Sequence, residues 1–433
     1  MKTGLVWFRN DLRIRDQLSL YKAQQGCDRV IGVYFFNPKH YAINTYGFKK
    51  TEKFRAHFLI ETVENLKENL KELQMSLLIF KEQPQEVIDK LVKEFSIEDI
   101  FYQEEWTSEE LLEMKKVKDS VPNSVSFHSS YDQFLIEPSV LPYPDFEKIP
   151  EVFTRFRKKL EKDWKVSSCI PQIKAFPSSN LLQHTTTIPT LEELGLSSFE
   201  KDSRSAFPFK GGEDEALNRL YNYLWGTDRI AVYKKTRNGL LGKDYSSKLS
   251  AWLANGAISA KAIYWEVKKY EKERTKNQST YWLIFELLWR DYFKYISLKH
   301  GASIFQLQGI SSKKLDWNYD KEVFERWKNG TTQHSFINAN MLEIKKTGFM
   351  SNRGRQNVNS YWAKELLQDW RIGAAYFESM LIDYDVHSNW GNWMYNSGVG
   401  NDPRDRKFNI KSQAERYDPS GKYQRTWLQE KLF

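Results

Sequence analysis

A few short stretches of this 433-residue chain hold residue types that could do chemistry. Gly242-Lys243-Asp244-Tyr245-Ser246-Ser247-Lys248-Leu249-Ser250 runs into the helix-like Trp252-Leu253-Ala254. Small hydroxyls, a lysine and free backbone N–H groups at a helix start suit a phosphate. An ordinary capped helix start has the same composition, so this segment alone leaves both readings open. Further on, Glu286, Trp289, Arg290 and Phe293 fall at i, i+3, i+4 and i+7, one face of a helix. A carboxylate, an indole and a guanidinium on one face fit a cavity that stacks and hydrogen-bonds a base. They equally fit a core stripe with an intrahelical Glu286–Arg290 pair.

Two later segments are richer in site-lining residues than in core formers. Thr347-Gly348-Phe349-Met350-Ser351-Asn352-Arg353-Gly354-Arg355-Gln356-Asn357 is the first, and Asp383-Tyr384-Asp385-Val386-His387-Ser388-Asn389-Trp390-Gly391-Asn392-Trp393-Met394-Tyr395 the second. The Asn, Asp, Gly and Trp of the second predict a loop that lines a site. The chain also carries 15 Trp and 23 Tyr, crowded after Trp225. Packing accounts for most of them; stacking on bases, a flat cofactor or electron transfer are the uses that would explain the crowding.

These residues need elements to hold them. Apolar runs at 3–8, 29–35, 76–80, 99–102 and 124–128 predict strands, with helices at 18–24, 50–73, 85–95 and 108–117 between them. Helices between short strands imply parallel βαβ units and a doubly wound α/β sheet over residues 1–135. No G-x-G-x-x-G opens the first helix, so a dinucleotide site of that kind is unsupported. Residues 136–189 change composition, with Pro138, Pro142, Pro144, Pro150, Pro171, Pro177 and Pro189 and the Thr185-Thr186-Thr187 run, and predict a linker with a helix at 153–163. Amphipathic segments at 213–225, 258–274, 280–299, 336–347, 361–370 and 374–381 predict an all-α domain over 190–433.

Composition narrows the class. Lys and Arg outnumber Asp and Glu by 65 to 56, a net charge of +9 that suits a polyanionic partner without naming one. Cys27 and Cys169 are too few for a disulfide framework or a cysteine zinc site, and no metal is expected. No stretch approaches the ~18 apolar residues of a membrane span. The opening Met1-Lys2-Thr3-Gly4-Leu5-Val6 enters a strand without a signal or transit pattern, which points to the cytoplasm.

Taken together, these segments resemble the photolyase/cryptochrome family and, within it, the DASH branch. Val6-Trp7-Phe8-Arg9-Asn10-Asp11-Leu12-Arg13 resembles the family's first strand and turn. Residues 281–293, 347–357 and 383–393, then Gly398-Val399-Gly400-Asn401-Asp402-Pro403-Arg404, Phe408-Asn409 and Gln413, continue the likeness along the chain.

The resemblance implies FAD inside the helical domain. Ser246, Ser247, Lys248, Leu249 and Ser250 match the phosphate-binding run, with Tyr233 earlier along the cofactor. Arg355 and Asp383 match the pair flanking the flavin ring, and Asp385, Val386 and His387 follow it. Asn389 matches the residue facing flavin N5, where an amide serves as donor or acceptor and favours repair over the acidic residue of plant photoreceptors. Arg290 and Asn352 fall to both cofactor and substrate. Glu286, Trp289, Gln356 and Tyr395 match the substrate cavity, with Arg237, Arg353 and Gln413 along the DNA path. Tyr395 and Gln356 stand where duplex-acting photolyases carry Trp and Met. Ser351 and Asn352 stand where (6-4) photolyases carry histidines, which argues against that repair. Trp393, Trp370 and Trp317 match the tryptophan chain from flavin to surface. Glu105 resembles the carboxylate that grips a folate antenna, 5,10-methenyltetrahydrofolate.

The resemblance therefore implies a DNA photolyase, a lyase that opens cyclobutane pyrimidine dimers under blue light and prefers single-stranded or locally opened DNA, acting as a monomer. The alternative is a blue-light photoreceptor that signals without repair. Signalling relatives often carry a long C-terminal extension, and this sequence stops at Lys431-Leu432-Phe433, soon after Gln413.

Overall fold

Apolar residues alternate along the first strands so that both faces of one sheet find a cover. The computed structural model describes residues 2–183, 186–313 and 315–429; Thr185 of the expected linker and Lys431-Leu432-Phe433 lie outside the described residues. Strands β1 (Thr3–Trp7), β2 (Arg29–Phe35), β3 (Leu77–Phe80), β4 (Ile97–Gln103) and β5 (Ser126–Ser130) pair in parallel in the order β3-β2-β1-β4-β5. Helices α1 (Leu18–Gly26), α2 (Lys53–Glu72), α3 (Pro84–Phe95) and α4 (Ser108–Ser120) make the crossovers. Val6, Val30 and Phe101 bury on one face, and Leu5, Ile31 and Ile100 on the other. A parallel sheet needs such burial on both faces, so the expected doubly wound domain forms.

The segment expected as a linker holds to both sides. Ile173 and Phe176 bury in the sheet's core, whereas Phe153, Phe156 and Leu160 of α5 (Phe153–Asp163) bury against helices. Beyond it come α6 (Glu213–Tyr221), α7 (Tyr233–Thr236), α8 (Ser250–Ala254), α9 (Ala260–Glu273), α10 (Gln278–His300), α11 (Lys321–Lys328) and α12 (Ser335–Thr347). The series ends with α13 (Asn352–Ser360), α14 (Trp370–Met380), α15 (Val386–Ser397), α16 (Ile410–Tyr417) and α17 (Lys422–Leu428). None of the described helices is long and apolar enough to cross a membrane.

Two local expectations are corrected. The segment 383–395, expected as a loop, is helical from Val386 onward. Asp385 caps it by accepting from the Ser388 N–H at 2.7 Å, and its poor apolar stripe is offset by tertiary burial of Trp390, Trp393 and Met394. The expected helix over 361–370 is two ends with a break between them. Tyr361–Glu365 closes the preceding helix in a wide turn, Leu367 takes a left-handed φ of 52°, and Asp369 caps the next helix through the Arg371 N–H at 2.9 Å.

Candidate functional site

Helices α13, α14 and α15 come together around a cavity whose lining includes Arg355, Asn359, Asp383, Asp385, Asn389 and Trp393. Ser351 caps α13 on the Gly354 N–H at 3.0 Å, which sets Arg355 one residue further along. Arg355 then donates through one Nη to both oxygens of Asp383, at 2.8 and 2.9 Å, and through Nε to the Met350 carbonyl at 2.9 Å. A Cβ on Gly373 would lie 2.2 Å from the Trp393 ring, so α14 can lie this close to α15 only with glycine there.

The cap residue of α15 also carries charge. Asp385 receives the Lys294 ammonium at 3.0 Å, both side chains being nearly closed to solvent. Burial alone would raise the Asp385 carboxyl; Lys294 and Arg290 reverse this and hold it well below the usual carboxylate range. Asp385 is therefore an anion at neutral pH. His387, two residues further on, lies 4.5 Å from Trp106 in a stacked contact. Ser297 Oγ lies 2.7 Å from both the Lys294 carbonyl and His387 Nδ1 and accepts from Trp106 Nε1 at 2.7 Å. His387 Nε2 is buried without a hydrogen-bond partner. Burial, Lys294 and Arg290 push the imidazole well below its ordinary value, which keeps the ring neutral.

Asn389 sits one helical turn past Asp385 and donates its amide to the Ala374 carbonyl at 3.0 Å. Its carbonyl oxygen is the atom left for the cavity. Asn359 Oδ1 and Trp393 Nε1, both on cavity-lining residues, are buried without hydrogen-bond partners. Such orphaned polar atoms fit a ring system that carries its own donors and acceptors. Nearby, the Lys248 ammonium is buried between the rings of Tyr245 (3.3 Å) and Phe349 (4.4 Å), again without a hydrogen-bond partner. Burial drives its pKa well down despite Glu343. The residues present thus fit a flavin nucleotide.

The run 246–250 is shaped by a residue the sequence reading missed. Arg219 of α6 donates to the carbonyls of Ser247 (2.9 Å), Ser246 (3.0 Å) and Lys243 (3.0 Å) and to Asp244 (2.8 Å). Lys248 takes a left-handed φ of 63°, Ser247 and Leu249 are buried, and Ser250 opens α8 exposed to solvent. In sequence Arg219 looks like any cation on a helix face; only the fold turns it inward. Tyr233 is buried nearby and lies close enough to Glu286 to feel its charge. Lys294 and Asn359 were missed for the same reason.

On α10, Glu286, Trp289 and Arg290 are partly exposed and Phe293 is buried, so the expected face exists. The intrahelical Glu286–Arg290 pair does not form. Arg237 meets Glu286 at 2.5 Å, and Arg290 donates to the carbonyls of Gln133 and Leu253. Burial raises the Glu286 carboxyl, partly countered by Arg237 and Trp282. Trp289 meets Tyr395 of α15 edge-on, centroids 5.9 Å apart, and the Tyr395 hydroxyl accepts from Arg406 at 2.7 Å. Arg353 lies over the Tyr417 ring at 4.6 Å; burial, Arg237, Arg416 and Arg406 all press its pKa down. Gln413 accepts from Asn357 at 3.5 Å, while Asn352 and Gln356 stand one turn apart on α13, exposed and half-buried.

Trp393 and Trp370 are fully buried and Trp317 is partly exposed. Trp393 has Phe377 at 5.1 Å and Trp327 at 6.3 Å, while Trp370 meets Trp390 at 5.7 Å and donates to the Leu307 carbonyl. Glu105, just past β4, accepts on one oxygen from Asn10 (3.2 Å) and Gln103 (2.8 Å).

Comparison with known proteins agrees with this architecture. Residues 4–178 match the DNA photolyase family, and residues 282–431 match the FAD binding domain of DNA photolyase. The chain is 47% identical to the cryptochrome DASH of Gloeobacter violaceus over 431 residues, 99% of this chain and 86% of that one. It is 44% identical to that of Danio rerio, over 99% of this chain and 83% of the relative. A solved Synechocystis cryptochrome superposes with a TM-score of 0.94 at 43% identity, covering 99% of this chain and 89% of that one. A class III photolyase from Agrobacterium tumefaciens, 24% identical over 99% of this chain and 86% of its own, shares the fold with a TM-score of 0.81. With a parallel-sheet N-terminal domain and a helical FAD-binding domain, the chain belongs to the DASH cryptochromes of the photolyase/cryptochrome family.

Proposed function

We propose that this protein repairs cyclobutane pyrimidine dimers in DNA under blue light, with single-stranded or locally opened DNA as its preferred substrate. One observation carries the reading: α15, which lines the cavity that fits FAD, and α10, packed against it, present Glu286, Trp289 and Tyr395 in a partly exposed pocket bordered by Arg237, Arg353, Arg406 and Arg416. An aromatic wall and a carboxyl inside a cationic rim suit two pyrimidine rings on a phosphate backbone. Reduced FAD supplies the light-driven electron that opens the cyclobutane ring. Arg355 and Asp383 would flank its ring, and Ser246–Ser250, held by Arg219, would take its phosphates. Asn389, its amide committed to Ala374, turns an acceptor oxygen toward the cavity, which suits a flavin that carries a proton there.

In the pocket Trp289 would stack on the dimer. Glu286, which burial raises and Arg237 counters, would hydrogen-bond the thymine. Trp393, Trp370 and Trp317 would return electrons to an oxidised flavin. Glu105, one oxygen already engaged, would hold a folate antenna with the other. The protein would act in the cytoplasm as a monomer.

The test is direct. FAD-loaded, reduced protein is illuminated with dimer-bearing oligonucleotides, single- and double-stranded, and restored thymines are counted. Restored thymines in the single strand are the expected result. None in either substrate would favour the photoreceptor instead.

A further inference from the structure

The pocket's indole is backed by a residue from the interdomain segment. Phe153, the first residue of α5, stacks on Trp289 with centroids 3.7 Å apart and planes 18° from parallel. It also meets Phe285 edge-on at 5.3 Å and Tyr292 at 5.4 Å, and it is almost closed to solvent. The segment around it is fastened to α10 at both ends. Upstream, the carbonyls of Ile149 and Pro150 accept from Lys299 (2.7 Å) and Tyr292 (3.0 Å), and Glu151 pairs with Lys299. Downstream, Arg157 pairs with Glu161 at 2.8 Å and donates to the Tyr281 hydroxyl at 2.6 Å. Between these anchors the phenyl ring covers one face of Trp289, while Tyr395 meets the indole edge-on.

An indole on a helix surface turns freely between rotamers unless its flanks are occupied. With Phe153 on one face, Trp289 is held in one orientation before any base arrives, so less freedom is lost on binding. We propose that Phe153 is a positioning residue that presets Trp289 for the dimer, which makes the interdomain segment a wall of the substrate pocket. This rests on the repair reading above.

The test compares Phe153→Ala and Phe153→Leu with Phe153→Tyr. Each FAD-loaded protein is titrated in the dark with a single-stranded oligonucleotide carrying one dimer and with its undamaged counterpart. Removing the aromatic stack is expected to lower the preference for the dimer about fivefold. Affinity for the undamaged strand and FAD content should stay unchanged, and Phe153→Tyr should keep the wild-type preference. Phe153→Leu preserves apolar volume and serves if the alanine variant does not fold. An unchanged preference in the leucine variant, or equal losses for both oligonucleotides, overturns the proposal. Wild-type protein with no dimer preference overturns the repair reading instead, and the proposal falls with it.

Discussion

The cavity proposed for FAD, lined from α13, α14 and α15, and the pocket proposed for the dimer, on α10 and α15, differ in their electrostatics. In the cavity each acid has its base: Arg355 with Asp383, Lys294 with Asp385. Asn359 Oδ1, Trp393 Nε1 and, nearby, Lys248 Nζ, whose charged form burial disfavours, are what lack partners. At the pocket rim Arg237 pairs with Glu286 and Arg406 with Asp402, while Arg353 has no carboxylate among the groups that shift it and is pressed by three other guanidiniums. A site for a resident cofactor must be stable when assembled, so its charges are matched. A site for a visiting polyanion gains by leaving cations crowded until phosphate arrives.

The strongest way to break this contrast is to unpair the cavity. Lys294→Met removes the direct ammonium partner of the buried Asp385, a loss of about 3 kcal/mol. Denaturant unfolding and retained FAD measure it, and wild-type stability with full FAD would sink the argument. The pair also sets an acid dependence. Because the Asp385 pKa is depressed on folding, its stabilisation is complete above the ordinary carboxylate value of about 4 and is lost as pH falls below it. The Lys294→Met protein should lack that part of the acid slope.

Next in size is Trp393→Phe. This change should remove most light-driven reduction of oxidised FAD while chemically reduced protein still repairs. Retained photoreduction would shift the electron route to another indole near the cavity.

The pocket side is sharpened by Tyr395→Trp with Gln356→Met. Extracting a dimer from a duplex costs a few kcal/mol, and aromatic stacking offsets about 1–3 kcal/mol per base. The larger indole should strengthen duplex binding roughly fivefold at the low end of that range. Equal duplex affinity would show that the pocket's rings do not set the strand preference. The smallest effect belongs to the rim: Arg353→Gln should reduce the slope of log affinity against log salt by about 0.7 for a single strand. An unchanged slope would remove Arg353 from the phosphate path.

Much of this was legible in the sequence because it rests on local physics. Apolar runs of strand length mark β1 and β2 wherever they occur, and helices between them demand parallel pairing. The spacing of Glu286, Trp289 and Arg290 places them on one face of α10 before any contact is known. What α10 touches was not legible. Arg290 could have paired with Glu286 by spacing alone, but the carbonyls of Gln133 and Leu253 hold it elsewhere.

The tertiary structure alone decided the remainder. Segment 383–395 reads as a loop because Asn and Gly are poor helix formers; it becomes α15 because Asp385 caps it and neighbouring helices bury its indoles. Arg219, Lys294 and Phe153 carry no sequence signal, since the groups that define them lie far along the chain: the carbonyls around Ser247, the Asp385 carboxylate and the Trp289 ring. Pattern and propensity act over a few residues, so they determine elements and their faces. Burial brings distant charges and rings together, and only then does a cation become a loop clamp or a phenyl ring the back of a pocket.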